Sequence, residues 1–338
     1  MRTTPRNRLR IFVSGVDSTP DPYSGVSVAR SLRLAFPGCE LVALDQSPQS
    51  SGLSWSDFDD WRVLSSRVDL ARLCANLASN EYLIPCVDEE IHWLVGNVRD
   101  NERVLMPSDR CLRRLRKPAR VLAKLLEVRS PASILVPARR ERLDAFVEKC
   151  GPHVWQKGRI ADAELASLET IRSSGEFASD KPLSRRKDLF LQAHVDGSLE
   201  VLSFAAYKGR FLNGVWMRKL GVTSKGKTWS GAVMELSAEW RSRLQTLVHQ
   251  LSWHGGGAFE FVRDSHAQLW LIDGNPRFPA WIHGATLCGL NLPAALLSAA
   301  SGTRARKGSD RCKEFSRVVV EVAVRPQFAS SFEPHAVE

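Results

Sequence analysis

The sequence predicts a chain that is α/β at first and α+β afterwards, with a Rossmann-like parallel sheet followed by a larger part built on antiparallel hairpins. Up to about residue 100, short apolar runs alternate with segments of helical period, the pattern of strand–helix–strand units. From Leu189 onward, strand-length runs are joined by Asp196-Gly197 and Lys208-Gly209, dipeptides suited to tight turns. A length of 338 residues supports two or three packed units, and 43% apolar with 25% charged residues is ordinary globular composition.

The elements follow in order. Arg10–Gly15 is a short apolar strand ending in glycine. Val26–Phe36 carries Val28, Leu32, Ala35 and Phe36 at helical spacing, and Pro37-Gly38 stops it. Leu41–Asp45 is a second strand and Tyr82–Pro85 a third. Asp88-Glu89-Glu90 then opens a helix, where acids suit the positive end of the dipole. No G-x-G-x-x-G follows the first strand, which argues against a dinucleotide site. Pro107-Ser108 marks a boundary. Pro118 fits the first turn of a helix reaching about Val128, with Val121, Leu122, Leu125 and Leu126 inward. Ile134–Val136 is a strand, Arg139–Cys150 a helix, and His153–Lys157 another strand. Beyond Gly158 the chain reads as a helix, and residues 173–187 as a mobile polar loop.

The last part begins with strands at Leu189–His194, Glu200–Tyr207 and Phe211–Lys219. A polar loop, Val222–Gly231, carries Lys225 and Lys227. Ser237 caps a helix with Trp240, Leu244, Leu247, Val248 and Leu251 inward. Gly255-Gly256-Gly257 ends it, a further hairpin follows, and a helix runs near Leu292–Ala300. The basic C-terminal stretch holds one β-like run at Val318–Val324.

Composition narrows the function classes. No apolar run is long enough to span a membrane, and the basic N-terminus has too short an apolar part for a secretory signal. Seven scattered cysteines without a C-x-x-C disfavour a disulfide framework or a zinc site, so a reducing cytoplasm is expected. The net charge of +10 is diffuse. It reads as solvated helix faces, then as a site for anionic ligands, and only then as a nucleic-acid surface.

One hairpin carries chemistry. If the turn centres on Ser265-His266, Arg263 faces Gln268 and Glu260 faces Leu271. Asp273 then lies on the face of Glu260 as a diagonal neighbour, roughly 7 Å away at Cα. Asn275 points the same way. Two carboxylates and an amide oxygen are hard ligands of the kind Mg²⁺ takes together with phosphate oxygens, and Arg277 follows within reach of an anionic oxygen. A one-residue slip would separate the acids. The competing reading is an amphipathic hairpin with its acids on the wet side. Asp-Gly-Asn-Pro-Arg continues a strand poorly, which points to some other demand on it.

Phe259-Glu260-Phe261 followed by Asp273-Gly274-Asn275-Pro276-Arg277 resembles the E-F…E-x-N-P-R signature of the ATP-grasp superfamily, closest to its carbamoyl-phosphate-synthase-like and biotin-carboxylase-like members. Gly289-Leu290-Asn291-Leu292-Pro293 is similar to a segment that follows there. The resemblance implies that Glu260, Asp273 and Asn275 bind Mg²⁺, with Mn²⁺ as an alternative, and that Arg277 stabilises charge at the acyl-phosphate stage. Asp273 stands where the family has Glu. Upstream, Lys117 and Lys157 match two phosphate-binding lysines. Leu189–Gly197 resembles the hinge that receives adenine, with backbone groups of Ala193 and Val195 on the base edge and Gln192 and Glu200 as base and ribose contacts. Arg218, Lys225 and Lys227 would face phosphates or the acceptor carboxylate. The glycine- and serine-rich phosphate lid is missing after Lys157.

The implied organisation is a pre-ATP-grasp Rossmann-like domain over 1–107, a small ATP-grasp subdomain over 108–188, a subdomain with the metal site over 189–310, and a tail over 311–338. The implied activity is ATP-dependent carboxylate–amine ligation through an acyl phosphate, forming an amide or peptide bond and releasing ADP and phosphate. The partners would be a small carboxylate and an amine or peptide, with no membrane or nucleic acid and with a homodimer allowed. A degenerate nucleotide-binding sensor is the alternative.

Overall fold

The computed structural model describes residues 8–17, 23–99, 101–115, 118–136, 138–150, 153–158, 163–167, 189–223, 226–306, 312–318, 320 and 322–323. The chain divides into two compact units, one comprising 1–112, 201–258 and 275–338, the other 113–200 and 259–274. No helix among the described residues is long and apolar enough to cross a membrane.

The first unit opens with four parallel strands, β1 (Arg10–Ser14), β2 (Glu40–Asp45), β3 (Asp60–Val63) and β4 (Glu81–Ile84), in the order β3-β2-β1-β4. A parallel sheet must be covered on both faces. Ile11, Val13, Leu41 and Ala43 enter one apolar cluster, and Phe12, Val42, Leu44 and Leu83 enter another. The helices are α1 (Gly25–Ala35), α2 (Arg67–Ala75) and α3 (Asp88–Asn97). Strand β3 and helix α2 escape the sequence pattern for a simple reason. No residue of β3 is fully buried, and α2 buries only Leu70 and Cys74, so neither shows a strong apolar period.

Helices α4 (Asp109–Leu115) and α5 (Arg120–Leu125) follow. The second unit then contains α6 (Arg140–Cys150) and an antiparallel sheet of β5 (Ser133–Val136), β6 (His153–Gly158), β7 (Ala163–Ser167) and β8 (Leu189–Ala193), ordered β5-β8-β6-β7. Val136, Leu143, Val147, Val154 and Leu191 form its core. The helix expected after Gly158 is replaced by strand β7, which pairs along β6 from Lys157↔Ala163 to His153↔Ser167. The open edge of β6 offers hydrogen bonds to alternate residues of that segment, and this outweighs the modest helical preference of Ala-Glu-Leu-Ala. The loop expected over 173–187 and Lys117 lie outside the described residues.

The third sheet is ordered β13-β12-β9-β10-β11-β14, from β9 (Ser198–Tyr207), β10 (Arg210–Val222), β11 (Thr228–Glu235), β12 (Gly255–Arg263), β13 (Leu269–Asn275) and β14 (Glu314–Ser316). Helices α7 (Ala238–Gln250), α8 (Ile282–Leu287) and α9 (Leu292–Ser301) complete the chain. Ser237 caps α7 as its sequence predicts, accepting from Trp240 N at 3.2 Å. Three corrections arise here. Asp196-Gly197 is not a hairpin turn, because β8 and β9 belong to different sheets. A Cβ on Gly197 would lie 2.1 Å from Arg263 O, so this passage admits only glycine. Gly255-Gly256-Gly257 opens β12 instead of ending a helix. A terminal strand lies at Glu314–Ser316, pairing Ser230↔Ser316, and the run expected at Val318–Val324 falls partly outside the described residues.

Candidate active site

The turn between β12 and β13 closes one residue later than the sequence alone suggests. Asp264 N donates to Gln268 O at 3.1 Å and Ala267 N to Asp264 O at 3.0 Å. The Asp264 carboxylate fastens the loop by accepting from His266 N, Gln268 N and the Trp270 indole. On the outer edge, Leu269 O and Leu271 N bond Arg129. Gln268, Trp270 and Ile272 therefore bond toward β12, and Glu260 stands opposite Ile272, not Leu271. Strict alternation would now send Asp273 to the far face.

Alternation breaks at this point. Along Leu269–Asn275 the residues are buried, half-buried, buried, half-buried, half-buried, buried and buried. Ile272 and Asp273 both lie on the wetter side, and Gly274 turns inward. A Cβ on Gly274 would meet Leu122 Cδ2 at 2.8 Å and Phe259 Cδ1 at 3.6 Å, so Gly274 shares the apolar face of Phe259. Glu260, next to Phe259, is half-buried, as is Asp273. Among the described residues no group of three or more His, Cys, Asp or Glu side chains converges. A divalent ion held by Glu260 and Asp273 would therefore draw its remaining oxygens from a substrate, from water, or from an amide such as that of Asn275, which ends the strand. Hard carboxylate donors of this kind fit Mg²⁺.

Lys157 joins this strand. The residue is 7% exposed, and Nζ donates to Ile272 O at 3.1 Å, one residue from Asp273. The Trp155 ring lies 5.9 Å from the ammonium. Gln192 on β8 pairs with Trp155, is buried, and among the described residues leaves Oε1 without a hydrogen-bond partner. An orphaned buried acceptor is costly, and a ligand amino group would satisfy it. Ala193 N is already bonded to Ala132 O at 2.8 Å, while Val195 is half-buried. His194 pins the segment between them. Its Nδ1 accepts from the Trp155 indole at 3.0 Å, which puts the proton on Nε2, 3.1 Å from Asp196 Oδ1. Glu200, the expected ribose contact, holds Arg263. It is 4% exposed and both carboxylate oxygens accept from Arg263 at 2.8 Å.

In the first unit, Arg277 Nε and Nη2 donate to Asp88 Oδ2 at 3.0 and 2.7 Å. Asp88 Oδ1 is buried with no hydrogen-bond partner among the described residues. Arg218 is exposed on β10, opposite Ala232. Sequence reasoning missed Asp88 as the holder of Arg277. It also missed Glu90, whose Oε1 accepts from the Ser14 hydroxyl while Ser14 Oγ accepts from Cys86 N. The available signal was an acid triplet directly after a strand, at the carboxyl end of a parallel sheet, where ligands of such sheets bind. Ser14, Asp45, Arg67 and Glu90 line a cavity of about 210 Å³ there. Burial pushes the Glu90 carboxyl up to about 7, partly countered by the Ser14 hydroxyl and reinforced by Asp45.

No protein-family model matches the chain, and no curated protein matches it by sequence. Solved structures match its fold. N5-carboxyaminoimidazole synthetase from Staphylococcus aureus aligns with a TM-score of 0.60 at 12% identity, over 88% of this chain and 78% of that one. The biotin carboxylase domain of 2-oxoglutarate carboxylase from Hydrogenobacter thermophilus, solved with MgADP, ADP and bicarbonate, aligns with a TM-score of 0.59 at 12% identity, over 88% and 71%. N5-carboxyaminoimidazole synthase from Aspergillus clavatus, in complex with ADP and its aminoimidazole ribonucleotide, gives 0.60 at 13% identity, over 88% and 77%. At these identities what is shared is the fold, and the chain has the ATP-grasp fold.

Proposed function

We propose that this protein is an ATP-dependent carboxylate–amine ligase. The observation that carries the reading is the delivery of a buried ammonium, Lys157 Nζ, to Ile272 O, one residue from Asp273 on the same strand. Such a set serves phosphoryl transfer, where positioning and charge stabilisation supply the rate. In the proposed reaction a substrate carboxylate oxygen attacks the γ-phosphorus of ATP, the bond to the β–γ bridging oxygen breaks, and ADP leaves. An amine nitrogen then attacks the acyl carbon, phosphate departs with the bonding pair, and the amine proton passes to solvent.

Mg²⁺, when bound, would screen the phosphate charge. Glu260 and Asp273 would hold it, with Asn275 as a third oxygen donor, and Lys157 would bind a phosphate oxygen. Gln192 and the backbone at Ala193 and Val195 would receive the base. Arg277, oriented by Asp88, would face anionic oxygens of the acyl donor. The second reading, a nucleotide-binding protein without turnover, is favoured by one feature: only residues 159–162 separate β6 from β7, where the fold's glycine-rich lid is expected.

ADP release measured with a panel of carboxylates and amines separates the two. Glu260→Ala and Asp273→Ala should each abolish turnover while leaving the thermal melt of the protein near that of wild type. Normal turnover in either variant overturns the metal assignment, and nucleotide binding without turnover in wild type selects the second reading.

A further inference from the structure

A second cavity in the first unit, of about 360 Å³, is lined by residues that, Lys227 apart, have no part in the site above. Its walls are aromatic: Trp55, Trp229, Trp281 and Phe315, the last two stacked at 6.0 Å with their rings 18° apart. Three cations, Arg30, Lys227 and Arg317, reach it, and among the described residues no Asp or Glu lines it. Arg30 lies over the Trp55 ring at 5.5 Å, and Arg317 Nη1 donates to Thr228 O at 3.3 Å. Among the described residues none of these three cations has a carboxylate partner. His283, also lining it, is held neutral near physiological pH, because burial and the nearby Arg30 push it down to about 4.

The exposed apolar residues point to the same place. Tyr23, Trp229, Leu287, Val318 and Val320 are all large, solvent-exposed side chains, and all five line this cavity. Scattered exposed apolar residues need no explanation, but their concentration around one concavity does. The volume falls in the range of small-molecule sites, which are mostly apolar with a few placed polar groups. A larger opening, about 700 Å³, is lined by Ala71, Tyr82 and Arg103, but it sits at the amino end of β4, the wrong end of a parallel sheet for a ligand.

We infer that this cavity binds a small carboxylate with a flat apolar body, the ring held among the indoles and the carboxylate answered by Arg30, Lys227 and Arg317. Resting on the ligase reading, a carboxylate is the substrate class that the proposed reaction consumes. An amine is disfavoured there by three like charges, and a neutral ligand would leave the cations unanswered.

The experiment uses 1-naphthoate as probe, with 1-naphthamide and 1-naphthylmethylamine as controls, titrated into the full chain by calorimetry and by quenching of indole fluorescence. Naphthoate should bind at least about tenfold more tightly than either control. Arg30→Gln should weaken naphthoate, but not naphthamide, by about tenfold, and Trp229→Ala should weaken both. Each variant is first matched to wild type by its thermal melt. If a melt departs, the conservative Arg30→Lys and Trp229→Phe are used, with partial loss expected. Equal binding of the three probes, or naphthoate binding indifferent to both substitutions, overturns the inference.

The ligase reading is tested apart from it. Glu260→Gln should keep naphthoate binding while losing carboxylate-dependent ADP release. Naphthoate binding by a wild type that releases no ADP with any carboxylate would leave the cavity standing and sink the ligase. Turnover with other carboxylates that is unaffected by Arg30→Gln and Trp229→Ala would do the reverse.

Discussion

Replacing Lys157 with methionine separates the charge of this side chain from its bulk. Both side chains are long and unbranched, so the packing of the stem is kept. The ammonium is lost, and with it the bond to Ile272 O at 3.1 Å. A hydrogen bond to a charged group contributes about 1.5–3 kcal/mol. Against that, an ammonium on a residue 7% exposed carries a desolvation cost of several kcal/mol. The Trp155 ring, 5.9 Å away, offsets about 0.5–2 kcal/mol of it. The terms oppose one another at similar size, so stability should change by no more than about 1–2 kcal/mol, a few degrees in Tm. Turnover should behave differently. Removing one positioned donor from developing charge lowers kcat about 10²–10³-fold. ADP release by a coupled assay, alongside a calorimetric melt, reads both quantities. A variant within threefold of wild-type turnover would refute the phosphate role. A Tm loss above about 10 °C would show that Lys157 is a strut for β13 instead, since charge removal alone cannot cost that much.

Two further outcomes follow from particular contacts. Arg263→Met strands the buried Glu200 carboxylate. A fully buried broken pair costs about 3–5 kcal/mol, and because the Arg263 side chain is 37% exposed, roughly 2 kcal/mol is expected, read as a lower urea midpoint that adding Glu200→Gln partly restores. The Glu90 carboxyl is raised from 4.5 to about 7 by burial. Between those values the folded state keeps a proton that the unfolded chain has released, so the stability from this group is full below about pH 4.5 and is lost as pH rises through 7. Glu90→Gln should therefore melt near wild type at pH 4.5 and above it at pH 8, and parallel Tm–pH curves would contradict the burial of that charge.

Much of the fold was legible because it rests on local pattern. The strands of the parallel sheet are apolar runs, helix α1 has its 3.6-residue period, and Ser237 is a preferred cap. What local pattern cannot carry is pairing. Residues Ala163–Ser167 are a strand only because β6 has an edge to fill. Asp196-Gly197 looks like a turn in isolation and is a passage between sheets.

The candidate site shows the same division. The sequence alone determined which residues are chemically suited: two acids and an amide on one hairpin, and a lysine on a distant strand. Tertiary structure decided their geometry. The hairpin closes a residue late, so strict alternation would part Glu260 from Asp273, and the burial pattern departs from alternation at Ile272–Asp273. A side chain at Gly274 would meet Leu122 and Phe259, a constraint set by a helix far away in sequence. The holding of Arg277 by Asp88, 189 residues apart, is of the same kind. Residue type is written in the chain, but register and long-range charge pairing are properties of the packed state, fixed by the burial of neighbours that no local window contains.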